Sequence, residues 1–312
     1  MRLLLLLLSA VLVAASGASA FDLQAHRGGR ALWPENTLPA FAMALDLGVD
    51  TLELDLGVTR DGHLIIAHDP HVPVDLARGP DGSWVEGAQP AWYDLTLAQA
   101  QTYDVGRIRP GTSYAERFAS QQPIDGTRVP TLAALFDLVR ARGDEKVRFN
   151  IETKIDPTPP GDTVDPDRFA RLLVDAVQQA GLSDRVTIQS FDWRTLQGVR
   201  DIAPGIRTAY LTIVTPEEGN VSLEGTSPWT AGFDPVRYGG SLPAAIRAAG
   251  GTIWSPYYPN LTPKMVKEAQ GMGLQVVPWT VNGEAEMRQL VEWGVDGLIT
   301  DDPALARHVL GR

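Results

Sequence analysis

The stretch Thr51-Leu52-Glu53-Leu54-Asp55-Leu56-Gly57 alternates apolar and acidic side chains with a period of two. That is the spacing of a β-strand, whose successive side chains leave opposite faces. Leu52, Leu54 and Leu56 therefore share one face, while Glu53 and Asp55 share the other. Two buried carboxylates side by side repel, and the repulsion drives one pKa upward. Something positive belongs between them, and a divalent cation is the economical candidate.

Outward from this strand, short apolar runs alternate with helix-patterned stretches. Candidate strands lie at 22–27, 51–58, 146–153, 186–190, 207–213, 251–255, 274–280 and 296–300. Candidate helices lie at 38–47, 131–142, 166–180, 193–201, 242–249, 262–271, 284–293 and 303–310. Thr37, Thr131, Asp165 and Thr262 stand as N-caps, three of them followed by an early proline, and Gly48, Gly143, Gly181, Gly250 and Gly273 fall where helices should stop. Strand–helix alternation of this kind specifies an α/β chain, and eight units predict a closed (β/α)₈ TIM barrel, with a doubly wound open sheet as the alternative. Two stretches break the rhythm. Residues 69–129, rich in Pro, Gly and aromatic residues, read as an irregular insertion subdomain after the second strand. Residues 215–240 read as a shorter excursion after the fifth.

Residues 1–20 carry Arg2, an unbroken leucine run and a small-residue ending, Ala18-Ser19-Ala20, which is the pattern of a cleaved signal peptide. The apolar run is too short for a transmembrane anchor. The expected mature protein is thus a single domain over 21–312, exported to a periplasm or medium, with no stable membrane anchor after cleavage. Net charge is −11, so the chain does not steer toward nucleic acid or anionic lipid. With no cysteine there is no disulfide, thiolate metal site or cysteine nucleophile, and nothing to which a lipoprotein anchor could attach.

Polar groups recur where the strands end, which is where a (β/α)₈ barrel builds its active site. The first strand runs into His26, Arg27, Gly28 and Gly29; the second carries Glu53 and Asp55. Asp61-Gly62 is a tight-turn signal that returns His68 toward those acids. Glu152 and Lys154 end the third strand, Gln189 and Phe191 the fourth, Trp279 the seventh and Asp301 the eighth. Each has a bland explanation alone: a hydrogen-bonded loop histidine, a same-face salt bridge, a core tryptophan. Converging at one barrel mouth, three carboxylates, two histidines, an arginine and a lysine are costly without a ligand. The chemistry they suit is phosphodiester cleavage. Carboxylate ligands favour a hard cation, Ca²⁺ or Mg²⁺. Arg27 and Lys154 can neutralise phosphoryl charge, and two histidines can deprotonate a nucleophile and protonate a departing alkoxide.

The segments His26-Arg27-Gly28-Gly29, Pro34-Glu35-Asn36-Thr37, Leu52 to Asp55, Thr59-Arg60-Asp61-Gly62, His68-Asp69 and Ile151 to Lys154 resemble the signature of glycerophosphodiester phosphodiesterases. Pro130 to Leu132, Ser190-Phe191, Trp279 to Asn282 and Thr300-Asp301 extend the resemblance over essentially the whole mature chain. The resemblance implies His26 and His68 as the acid/base pair, and Glu53, Asp55 and Glu152 as ligands of one divalent cation. It places Arg27 and Lys154 at the phosphate; Gln189, Phe191 and Trp279 are candidates for the substrate pocket. Family members are TIM barrels with an insertion after the second strand. They hydrolyse glycerophosphodiesters to sn-glycerol 3-phosphate and an alcohol. His63 and His71 match no catalytic position and read as surface residues. A phospholipase D-like lipid hydrolase on the same scaffold, and an exported binding protein or adhesin without catalysis, remain open readings. So do Ca²⁺ against Mg²⁺, the order of the two histidines, and attack by water against attack through a cyclic phosphate.

Overall fold

The computed structural model describes residues 21–158, 161–216 and 219–312, so the leader expected over 1–20 lies outside the described residues. Eight parallel strands succeed one another around a barrel: β1 (Asp22–Ala25), β2 (Thr51–Val58), β4 (Arg148–Thr153), β5 (Val186–Ser190), β6 (Arg207–Thr212), β7 (Ile253–Pro256), β8 (Gln275–Val276) and β9 (Gly297–Thr300). β9 pairs with β1. The remaining seam is bridged by backbone bonds from Asp296 N to Val276 O, Ile299 N to Pro278 O and Val281 N to Ile299 O. The fold is the expected TIM barrel rather than an open sheet. The expected strand 274–280 contracts to two residues, because Pro278 has no N–H to offer a ladder. Strand β3 (Leu64–Ile66) lies outside the ring, antiparallel to β2 through Leu56↔Ile66, so the chain doubles back at Asp61-Gly62.

Four of the eight barrel helices start at the caps expected from the sequence. Thr37 accepts from Ala40 N at the start of α1 (Leu38–Leu47), and Thr131 from Ala134 N at the start of α4 (Leu132–Ala141). Asp165 and Thr262 do the same for α5 (Pro166–Gln179) and α8 (Pro263–Gly271). Such caps satisfy first-turn N–H groups and contribute about 1 kcal/mol each. The ring is completed by α6 (Trp193–Ile202), α7 (Leu242–Ala248), α9 (Glu284–Trp293) and α10 (Pro303–Val309).

The period-two reading of β2 decides the core. Leu52, Leu54 and Leu56 are fully buried in the layer between barrel and helices, with Phe41, Phe149, Phe169 and Trp193. Glu53 and Asp55 face the barrel interior, where Asp55 is in register with Glu152 and Glu152 with Gln189. That interior is divided. Gln24, Asn150, Gln189 and Glu53 form a hydrogen-bonded polar layer on one side. Ala209, Ile253, Val277 and Ile299 make an apolar plug on the other.

Residues 69–129 hold two short helices, α2 (Leu97–Ala100) and α3 (Ser113–Arg117), a 3-10 turn at Trp92–Asp94, and otherwise loops. Their own small core contains Val72, Ala77, Trp92, Ala100 and Val129 packed on Ile65 and Ala67. Among the described residues no helix is long and apolar enough to cross a membrane.

Candidate active site

The site begins where β1 stops. The strand was expected to reach residue 27 but ends at Ala25, because His26–Gly28 turn into a 3-10 segment with Arg27 at φ 51° and Gly28 at φ 82°. A Cβ on Gly28 would sit 3.0 Å from the Ala40 side chain, so only glycine lets this turn settle against α1. The turn aims the Arg27 N–H at Glu53, donating to Oε2 at 2.8 Å. It also brings the His26 ring to Glu53, with Nε2 4.0 Å from Oε2.

Glu53, Asp55 and Glu152 converge so that one oxygen from each lies within 4.8 Å of the others, all three buried. Glu53 accepts at Oε1 from Gln189 Nε2 at 2.7 Å. Asp55 Oδ2 accepts from Asn36 Nδ2 at 2.9 Å, while its Oδ1 is buried with no hydrogen-bond partner. Burial and the neighbouring Asp55 and Glu152 charges push the Glu53 carboxyl well above its ordinary range. Burial likewise raises Glu152, against the pull of Lys154, to about 7. Asp55 goes the other way: burial opposes its charge, but the Arg27 guanidinium, with the Lys154 ammonium, holds it ionised. Three acids that cannot all ionise, and one orphaned carboxylate oxygen between them, are what an oxygen-ligated cation site looks like without its charge. The residues fit a divalent cation.

Two histidines flank the triad, each tethered by a carboxylate. His26 Nδ1 meets Asp301 Oδ1 at 2.5 Å, and its Nε2 lies 4.0 Å from Glu53 Oε2. Asp301 is kept ionised by His26 and Arg30 against the cost of burial, so it only accepts, and the proton sits on Nδ1. His68 Nδ1 pairs with Asp69 Oδ1 at 2.7 Å, and His68 Nε2 lies 3.1 Å from the Lys154 ammonium. Burial first, then Arg27 and Lys154, push His68 down to about 4. Water screens part of this, since a third of the His68 side chain (32%) remains exposed. Burial and Arg30 also lower His26, against Asp301. Both rings stand neutral near pH 7.

The two cations expected at the phosphate are already engaged by carboxylates. Arg27 Nη1 donates to Glu35 Oε1 at 2.6 Å. Its Nε lies 3.2 Å from Asp55 Oδ2, within ion-pair range but without hydrogen-bond alignment. Lys154 Nζ pairs with Glu152 at 2.8 Å. His26, Arg27, Glu53, His68, Glu152 and Lys154 line a cavity of about 160 Å³ together with Gln189, Phe191 and Trp279. The Phe191 and Trp279 rings meet edge-on at 5.3 Å and also wall an adjoining cavity of about 730 Å³, with Trp229 and Tyr257. The structure therefore brings every sequence-derived site residue to one place. His63 and His71 do not line this cavity; both are half exposed, near Asp61 and Asp162 respectively. Sequence reasoning gave no role to Asp69, Glu35, Asn36 or Asn282, whose amide donates to Asp301 Oδ2 at 2.7 Å. Their only signal was membership in the quoted motifs.

The glycerophosphoryl diester phosphodiesterase family model matches residues 26–305, nearly the whole described chain. The chain belongs to that family. A glycerophosphodiester phosphodiesterase of Caldanaerobacter subterraneus is 32% identical over 279 residues, covering 89% of this chain and 93% of the relative. One from Bacillus subtilis is 30% identical, covering 91% and 85%. A crystal structure of a Silicibacter pomeroyi protein assigned as a glycerophosphoryl diester phosphodiesterase has a TM-score of 0.84 at 34% identity, covering 94% of each chain. An Oleispira antarctica phosphodiesterase in complex with the product sn-glycerol-3-phosphate shares the fold, with a TM-score of 0.67 at 18% identity and coverage of 93% and 97%. As a glycerophosphodiester phosphodiesterase, the chain is an enzyme acting on small phosphodiesters, and the triad, histidines and cavity stand where a TIM barrel works, at the C-terminal strand ends.

Proposed function

We propose that the chain hydrolyses glycerophosphodiesters to sn-glycerol 3-phosphate and an alcohol, with one divalent cation, Ca²⁺ or Mg²⁺, on Glu53, Asp55 and Glu152. The observation that carries this reading is the buried three-carboxylate cluster within 4.8 Å, set between two carboxylate-tethered histidines. Kinship to the Oleispira fold, seen with sn-glycerol-3-phosphate, supports the product. When bound, the cation neutralises the three acids and draws charge from the phosphoryl oxygens.

The protein's own groups divide the proton work. His26 has its Nδ1 proton committed to Asp301, leaving a basic Nε2 turned to the cavity, so it takes the proton of the attacking hydroxyl. His68 Nε2 already accepts from the Lys154 ammonium, so this pair delivers the proton that the departing alkoxide requires. Asp301 and Asp69 each hold a ring proton on Nδ1 and leave Nε2 toward the cavity, so at His68 the leaving-group proton comes from the Lys154 ammonium through Nε2. Arg27, fixed between Glu35 and Asp55, presents its cationic edge to the phosphoryl group. Phe191 and Trp279 wall the substrate, and Gln189 holds Glu53 while lining the same cavity. The leucine-rich start and Ala18-Ser19-Ala20 support export to the periplasm or medium, testable by the N-terminal sequence of the secreted protein.

The test is a panel of glycerophosphocholine, glycerophosphoethanolamine and intact phosphatidylcholine, assayed with Ca²⁺, with Mg²⁺ and after chelation. Release of sn-glycerol 3-phosphate from the first two, abolished by chelation, is expected. Turnover of intact phosphatidylcholine alone would move the chain to lipid hydrolysis, and no turnover with either cation would leave a binding protein. Trapping a cyclic glycerol phosphate would show attack by the neighbouring hydroxyl.

A further inference from the structure

We propose that Tyr114, carried by the insertion helix α3, is a positioning residue for the reaction: its hydroxyl ties Glu35 to Arg30 and so holds Arg27 and the His26–Asp301 pair in register. This rests on the hydrolase reading above and adds a role for the insertion.

The hydroxyl stands at a junction. It donates to Glu35 Oε2 in a short hydrogen bond and accepts from Arg30 Nη1 at 3.3 Å. One phenol can do both at once, since it has one proton to give and lone pairs to receive. Beyond Glu35 lies Arg27, bonded to the other carboxylate oxygen at 2.6 Å. Beyond Arg30 lies Asp301, whose Oδ1 accepts from Arg30 Nε at 2.6 Å and from His26 at 2.5 Å. Arg30 and His26 thus share one oxygen, and any drift of Arg30 is felt by the imidazole.

Burial makes the junction matter. Glu35 is 7% exposed, and without the phenol its Oε2 would be a buried carboxylate oxygen lacking a donor. A group in that position recruits whatever donor it can reach, which here is Arg27 or Arg30. Both are committed to the reaction centre. The insertion also grips Arg30 from two further directions: the Phe118 ring lies 4.9 Å from its guanidinium, and Gln121 Nε2 donates to its carbonyl at 2.7 Å. Tyr114 and Phe118 pack edge-on at 4.9 Å, so a phenylalanine at 114 keeps the packing and loses only the hydroxyl.

The experiment compares Tyr114→Phe with Arg78→Met in the full-length enzyme loaded with its active cation. Arg78 pairs with Asp104 and Asp125 inside the insertion and touches none of this network, so its loss loosens the insertion generally. Steady-state kinetics on glycerophosphocholine, inhibition by orthovanadate and by inorganic phosphate, and melting temperature are measured for each. Tyr114→Phe is expected to lose about tenfold in kcat, with KM within about twofold. Orthovanadate, the better mimic of the five-coordinate phosphorus, should weaken in parallel while inorganic phosphate barely changes, and the melting temperature should stay near the parent's. Arg78→Met should lower the melting temperature and keep kcat within about twofold of the parent. An active parent with an unchanged Tyr114→Phe kcat, or losses that track melting temperature in both variants, would overturn the inference. A parent that cleaves no diester would instead remove the hydrolase reading, and this inference with it.

Discussion

The imidazole of His26 and the carboxylate of Asp301, 275 residues apart in sequence, meet at 2.5 Å across the seam where the barrel closes. Asp301 is itself held by Asn282 and Arg30 and stays ionised, so it fixes the proton of His26 on Nδ1 and points Nε2 at the cavity. Asp301→Asn would leave the shape nearly intact while allowing the wrong tautomer. The expected outcome is a fall in kcat of about 10²-fold or more, measured on glycerophosphocholine, with circular dichroism and cation affinity unchanged.

Under the proposed mechanism, truncating either histidine removes a proton carrier directly. His26→Ala and His68→Ala should each lower turnover by about 10²–10⁴-fold at saturating cation. Near-parent rates in both variants would refute the acid/base assignment. A substrate with a highly acidic leaving alcohol needs no protonation on departure, so it should rescue His68→Ala far more than His26→Ala.

Cation removal couples to pH through the triad. Glu152 keeps a proton in the folded chain up to about pH 7, whereas in the unfolded chain it loses that proton near its ordinary value of 4.5. Glu53 is shifted in the same direction. Because the folded state binds more protons in this window, its stability falls as pH rises from about 4.5 through 7. The chelated protein should therefore melt lower at pH 8 than at pH 6, and Ca²⁺ or Mg²⁺ should restore it. Cation binding near pH 6 should release protons, seen as a buffer-dependent heat in calorimetry. A flat melting profile from pH 5 to 8 in the chelated protein would contradict the linkage.

The turn at Gly28 carries a stability prediction. With φ at 82° and the Ala40 side chain 3.0 Å from where a Cβ would stand, Gly28→Ala must strain the backbone and push on α1. A loss of about 1–3 kcal/mol is expected from denaturant melts. Activity should fall further than stability, because His26 and Arg27 are the residues displaced.

Much of this molecule was readable along the chain because its signals are local. The caps at Thr37, Thr131, Asp165 and Thr262 act within a few residues, so each marked its helix start correctly. The leucines of β2 reported which face is buried, and the acids between them reported the other. The readings that moved depended on backbone detail: β1 ends at Ala25 because Arg27 takes a left-handed conformation, and β8 shrinks around Pro278. The insertion resisted reading because α2 and α3 span four and five residues, too short to show a helical period. The sequence offers Arg27 and Lys154 as candidate cations for a phosphate, but nothing local says that Glu35 and Glu152 hold them.

The sequence by itself determined the order of strands and helices and the inward face of β2, since each follows from spacing within one element; it singled out the three acids and two histidines as candidates through a family signature spread over several elements. Tertiary structure alone decided which carboxylate tethers which imidazole, that Asn36 and Gln189 orient the triad, and that Tyr114 reaches Glu35 from the insertion. The physical reason is closure. A barrel sets the ends of its first and last strands side by side, and hydrogen bonds across that junction depend on distances that no local pattern of residues encodes.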